Sequence, residues 1–131
     1  MEQQHLSIQT ISQLTGISTY TLRYYEKNGL IHPITRGANG RRQYSAGDLD
    51  WIRFLLRLRT TGMSIRQMQQ AAELRRQGPS TARERRQLLE AHQESIKKQI
   101  EALQEHQEAI ENKIMIYKQW EKDYPLEEES K

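Results

Sequence analysis

The chain has 131 residues, 35% hydrophobic and 28% charged, with a formal net charge of +3 and no cysteine. That length fits one core of ordinary size plus an extension and excludes two large domains. The missing thiols exclude disulfides, thiol redox sensing and cysteine-ligated zinc or copper.

The small net charge hides an asymmetry. Residues 1–79 carry 11 Lys or Arg against 5 Asp or Glu, a net of +6, whereas residues 80–131 carry 9 against 12, a net of −3. A basic N-terminal part joined to an acidic C-terminal part points to a nucleic-acid surface on the first alone. The opening MEQQHLSIQT lacks the charged-then-apolar pattern of a secretion signal. No apolar run approaches the roughly 18 residues that a bilayer span requires. The expectation is a cytoplasmic protein without a membrane partner.

In chain order, Ile8, Ile11 and Leu14 recur at three-residue spacing before Gly16 and predict a helix over Ile8–Thr15 capped by Ser7. After Gly16, Ser18 caps a second helix through YTLRYYEKNG, which Asn28-Gly29 closes. Two short helices joined by a tight glycine turn form a helix-turn-helix pattern. Beyond Pro33, the stretch ITRGANGRRQYS places Asn39-Gly40 as a two-residue turn and predicts a small β-hairpin, or wing. Ser45 then starts a helix with Leu49, Ile52, Leu55, Leu56 and Leu58 on its apolar face, ending at Gly62. Ser64 caps the next, with Ile65, Met68, Ala71, Ala72 and Leu74, until Gly78-Pro79 breaks it.

From Ser80 to about Asp123 there is no Gly or Pro, and Gln, Glu, Lys and Leu dominate. These residues suit one helix of roughly 40 residues, about 60 Å long, too long to pack on a small domain alone. On a heptad frame Leu89, Ile96, Leu103, Ile110 and Tyr117 fall on one seam position and Gln93, Ile100, Gln107 and Ile114 on the other. An apolar stripe with a 3.5-residue period favours covering by a second helix over burial against the chain's own domain. The two seam glutamines weaken that pairing and can fix its register. The expected division is residues 1–78 as the reading domain, 79–123 as the dimerisation helix and 124–131 as a tail.

The ordered combination LSIQTISQLTGISTYTLRYYEKNGLIHP, RGANGRRQYS and DLDWIRFLLRLRTTGMSIRQMQ resembles the DNA-binding domain of the MerR family. TLRYYE and the wing are its most distinctive parts, and the resemblance continues into the long helix. It implies a mostly α fold: a winged helix-turn-helix followed by a helix that pairs antiparallel with a second copy. It also implies binding between the −35 and −10 promoter elements, activation by bending and untwisting an overlong spacer, and an indirect relation to RNA polymerase through the shared promoter.

The second helix is expected in the major groove, where base edges present a readable hydrogen-bond pattern. Its Thr19, Tyr20 and Thr21 lie at the leading end, and by analogy with the family Arg23 and Tyr24 meet phosphate or base edges. Leu22 and one of the adjacent tyrosines, Tyr25 in preference to Tyr24, are expected to face the core. Arg36, Arg41, Arg42 and Tyr44 of the wing are expected to grip the DNA backbone, with Arg59 extending that surface. Leu89, Ile96, Ile100, Leu103, Ile110, Ile114 and Tyr117 form the dimer seam. Trp51, Tyr117, Trp120 and Tyr124 are candidates for a small effector pocket, or else a plain hydrophobic anchor for the helix end. The four histidines form no ligand cluster, no cofactor is implied, and no nucleophile-base pair or phosphate-binding glycine loop suggests an enzyme. An architectural DNA binder and a coiled-coil scaffold are the alternatives to a sequence-specific regulator.

Overall fold

A computed structural model describes residues 5–32 and 36–127. Helices α1 (Ile8–Thr15), α2 (Thr19–Lys27), α3 (Ala46–Thr60) and α4 (Ile65–Gln77) are followed by a short 3-10 turn, Pro79–Thr81, and helix α5 (Ala82–Asp123). The chain divides into two units, Met1–Glu90 and Ala91–Lys131.

Each of the first four helices starts where a serine side chain satisfies an otherwise orphan N–H. The Oγ atoms of Ser7, Ser18, Ser45 and Ser64 accept from the backbone N–H of Thr10, Thr21, Asp48 and Gln67. At Ser45 and Ser64 the third helical residue, Asp48 or Gln67, bonds back to the cap's own N–H and completes a capping box. Helices α2 and α3 also end alike. Gly29 and Gly62 take left-handed φ values of 76° and 94°. In each case the following residue reaches back across the turn, Leu30 N–H to the Tyr25 carbonyl and Met63 N–H to the Leu58 carbonyl. This closure joins an apolar residue outside the helix to one inside, and all four of these side chains are buried.

In the first unit α1 packs on α2 and α3, and α3 packs on α4. Ile11, Leu22, Leu30, Ile31, Ile52, Leu55 and Met68 are almost wholly removed from water. Each such side chain contributes about 1.5–3 kcal/mol of burial. Leu22 and Tyr25 face this core as the helical period required, whereas Leu14 is 48% exposed. The long helix does not begin directly at the Gly-Pro break. Thr81, a buried polar residue, donates its hydroxyl to the carbonyls of Leu74 and Gly78, both at 2.7 Å, and pins the corner between α4 and α5.

The wing differs from the expected two-residue hairpin. Among the described residues no strand extends beyond isolated bridges, Leu6 with Tyr44 and Arg36 with Arg42. Five residues, 37–41, link the second pair. Gly40 N–H closes a turn onto the Gly37 carbonyl, and Gly40 itself has φ 77°. A turn followed by a left-handed glycine gives a longer hairpin loop in which Asn39 sits inside the turn, its Oδ1 accepting from Arg41 N–H. Pro33, where the wing was expected to begin, lies outside the described residues.

The second unit is the remainder of α5 and the residues after it. Among its described residues Ile100, Leu103, Ile110, Ile114, Met115, Ile116, Tyr117, Trp120, Tyr124 and Leu126 are all exposed. Ile96 alone on the expected seam is half-buried, and Leu89, in the first unit, is 37% exposed. No helix is long and apolar enough to cross a membrane among the described residues.

Candidate nucleic-acid interface

Helix α2 presents its polar face between two concave surfaces. On one side, Arg23 of α2 joins Arg36, Gly40, Arg41 and Arg42 of the wing and Ser7, Ile8 and Gln9 at the start of α1 around a cleft of about 370 Å³. On the other, Tyr20, Thr21, Tyr24 and Tyr25 of α2 meet Arg59 of α3 and Ile65 of α4 around a cleft of about 280 Å³. Nine of the ten residues expected to touch DNA are accounted for as follows. Arg23, Arg36, Arg41 and Arg42 share the first cleft, Tyr20, Thr21, Tyr24 and Arg59 share the second, and Thr19 is half-buried at the helix start.

Four guanidinium groups border one concavity beside the N-terminus of α1, the end of a helix where unpaired N–H groups favour anions, with the charge of Arg42 offset by Glu26. Tyr20, at 78% exposure, and Tyr24, at 46%, offer amphipathic rings on the opposite flank. Thr21 is constrained, its hydroxyl 3.0 Å from Ser18 Oγ.

Two wing residues are engaged with the protein. Arg42 Nε donates to Glu26 Oε1 at 2.9 Å, a half-buried ion pair between the wing and α2. Arg36 Nη1 donates to the Gly40 carbonyl and stiffens the wing loop. Tyr44, the tenth expected DNA contact, requires correction. It is fully buried, because its backbone pairs in both directions with Leu6 and carries the side chain into the core. Its hydroxyl has no hydrogen-bond partner. Burial pushes the phenol above its ordinary range, the Glu26 carboxylate adds to the effect, and Arg42 opposes it.

The far end of α2 is held from outside by side chains on consecutive backbone carbonyls. Gln69 Nε2 donates to the Asn28 carbonyl at 2.9 Å, Arg76 Nη2 to that of Gly29 at 3.3 Å and Trp51 Nε1 to that of Leu30 at 2.7 Å. Arg59 Nη1 adds a bond to the Tyr25 hydroxyl at 2.8 Å. The turn that closes α2 is thereby fixed to α3 and α4, while Tyr20 near the start of the helix stays exposed. Trp51 also carries the Arg75 guanidinium 4.8 Å above its ring. With Phe54, Ala71, Arg85, Leu88 and Leu89 it borders an apolar cleft of about 60 Å³.

Of the aromatics expected at an effector pocket, Trp51 belongs to the first unit, while Tyr117, Trp120 and Tyr124 belong to the second. There the Tyr117 and Trp120 rings meet edge to face at 5.4 Å. Sequence reasoning missed Ser7 and Gln9 as cleft residues, although Ser7 was legible as the cap of α1. Glu26, within TLRYYE, was likewise missed, because its partner Arg42 lies 16 residues on.

Two family descriptions match the chain: MerR HTH family regulatory protein over residues 6–74, and MerR, DNA binding, over residues 49–113. An uncharacterized HTH-type transcriptional regulator of Haemophilus influenzae is 40% identical over 85 residues, 65% of this chain and 63% of that protein. The HTH-type transcriptional regulator AdhR of Bacillus subtilis is 34% identical over 84 residues, 64% of this chain and 60% of that one. The chain thus aligns with less than two thirds of the length of these curated relatives. Among solved structures, HiNmlR, described as a MerR family regulator lacking the sensor domain and bound to promoter DNA, superposes with a TM-score of 0.81 at 32% identity, covering 89% of this chain and 93% of that one. A MerR family regulator from Listeria monocytogenes superposes with a TM-score of 0.79 at 35% identity, over 92% of this chain and 87% of the other. A further Haemophilus influenzae relative, 34% identical over 73% of this chain and 75% of its own length, is described as a probable heavy metal-dependent regulator. The donor set here does not fit a soft metal. There are no thiolates, and no trio of His, Asp or Glu converges among the described residues.

Proposed function

This chain belongs to the MerR family of helix-turn-helix regulatory proteins, and on that premise we propose that it is a sequence-specific transcription regulator that acts on promoter DNA as a homodimer. The observation that carries this reading is the two clefts flanking α2, one lined by four arginines and the other by three tyrosines and Arg59. Arginines neutralise phosphates and fix register, while the leading residues of a helix between them reach base edges. That HiNmlR is a relative bound to promoter DNA supports the same assignment.

The second unit supports the homodimer reading. Ile100, Leu103, Ile110, Ile114 and Tyr117 are exposed on the positions the heptad assigned to a seam. A second copy of the helix covers such a stripe, and the family arrangement makes the pairing antiparallel. Two reading heads at a set separation then bind a pseudo-palindromic site, and distortion of the intervening DNA couples dimer geometry to transcription.

The decisive experiment is a footprint on the DNA upstream of the chain's own gene, with shuffled DNA at the same salt as control. Protection between the promoter elements is expected. Equal affinity for both DNAs would instead favour an architectural binder, for which specific and nonspecific binding differ little. Control by a small uncharged effector rests on the exposed Tyr117–Trp120 pair. It requires a saturable change in Trp fluorescence on titration that Trp120→Ala abolishes.

A further inference from the structure

An acidic side chain beside a phosphate-binding surface repels the ligand unless it acts on something else. Glu26 is such a residue. It lies on α2 in the same turn as Arg23, and its carboxylate is bonded at 2.9 Å to Arg42, which lines the arginine cleft. Both side chains are about one-fifth exposed, Arg42 at 20% and Glu26 at 19%, so the pair is shielded more than a surface ion pair. The bond uses Nε and so does not occupy the two terminal nitrogens of the guanidinium.

We propose that Glu26 is a positioning and specificity-determining residue that neutralises Arg42 and aims it into the cleft. This rests on the reading of the chain as a sequence-specific DNA binder. Arginines beside a duplex are of two kinds. A free guanidinium attracts any phosphate, and its contribution appears as counterion release that is the same for every duplex. One clamped by a carboxylate carries little net charge, so it adds little to sequence-independent attraction. Its remaining N–H groups are held in a narrower range of directions and meet phosphate oxygens well only when the duplex sits in the matching register. Glu26 therefore converts a generic charge on the wing into a contact that counts only on the right DNA.

The wing's other attachments support this division. Its backbone is fixed to the body by the paired Leu6 and Tyr44, and Tyr44 is buried. Removing the Glu26 charge thus frees the Arg42 side chain without releasing the wing itself.

The test uses the full chain and two duplexes: one recovered by selection with the wild-type protein from a random pool, and a shuffled sequence of the same composition. Affinity is measured by fluorescence anisotropy across a series of KCl concentrations for the wild type, Glu26→Gln, Arg42→Gln and the double variant. Glu26→Gln is near-isosteric, and its thermal unfolding is recorded to show that it folds. On shuffled DNA, Glu26→Gln is expected to bind about threefold more tightly in dilute salt, and its salt slope should steepen by about one, as for one additional unpaired positive charge. The ratio of selected to shuffled affinity should fall about tenfold. In the Arg42→Gln background the same substitution should change neither quantity, because its effect passes through Arg42. The proposal requires the steeper slope and the lower ratio together, so either one alone, or an equal loss on both duplexes, overturns it. Wild-type protein that binds neither duplex would overturn the regulator reading itself, a distinct result.

Discussion

The two units of the chain solve the problem of apolar surface in opposite ways. Met1–Glu90 places its aliphatic side chains inside a shared core and ends its helices with side-chain caps and left-handed glycines. Ala91–Lys131 relies on one helix whose isoleucines, leucines and aromatics are mostly left uncovered by the chain's own residues. An isolated helix gains little from backbone hydrogen bonds alone, and most helical stability in proteins comes from covering an apolar face. The first unit holds a core of its own, while the uncovered face of the second is one that a second copy of the helix would cover in the proposed dimer. The arginine-lined surface lies on the first unit, and in the proposed dimer the second unit sets how many such surfaces act together.

Substitutions in each region sharpen this contrast. The largest effect is expected from replacing both Leu103 and Ile110 by Asp, which puts two charges into the proposed seam. Dimer dissociation should rise at least a thousandfold, about 4 kcal/mol, as read by sedimentation, with the first unit still folded by tryptophan fluorescence. Loss of the first unit's structure in that variant would mean that this unit depends on the helix pairing. Leu22→Ala should lower the unfolding free energy of the first unit by about 3 kcal/mol in urea, since the side chain is fully buried. Trp51→Phe keeps most of the ring's bulk but leaves the Leu30 carbonyl without its donor. A loss of about 1–2 kcal/mol is expected, with faster amide exchange at the end of α2. The smallest effect belongs to Tyr44→Phe. It removes a buried hydroxyl that has no partner and should be neutral or stabilising by up to about 1 kcal/mol. The same variant reports on alkaline pH. The folded-state pKa of Tyr44 is raised, so the protonated phenol favours the folded state below about pH 10, and that contribution is lost as pH rises through the folded value. Tyr44→Phe should therefore resist alkaline unfolding better than the wild type.

Local rules carried most of the fold. Ser7, Ser18, Ser45 and Ser64 were legible as caps because a cap and its partner lie three residues apart, and each is seen bonding there. The apolar spacing that marked α1 to α4 and the unbroken run that marked α5 are equally local. What could not be read depends on partners distant in sequence. Glu26 with Arg42, Leu30 with Trp51, Asn28 with Gln69 and Gly29 with Arg76 are separated by 16, 21, 41 and 47 residues. No periodicity predicts such pairs. Tyr44 was misassigned for a related reason: its neighbours are basic, but its own backbone pairs with Leu6 near the start of the chain. In the wing, Asn39-Gly40 signalled a turn correctly, yet the pair alone did not specify that the loop closes at Arg36 and Arg42.

The grip on the turn that closes α2 falls on main-chain oxygens, which every amino acid supplies. Thr19, Tyr20, Thr21 and Arg23 can consequently be exchanged without dismantling the frame that aims them. A library randomised at those four positions should yield well-folded proteins with altered base preference, so this architecture suits retargeting to new operators.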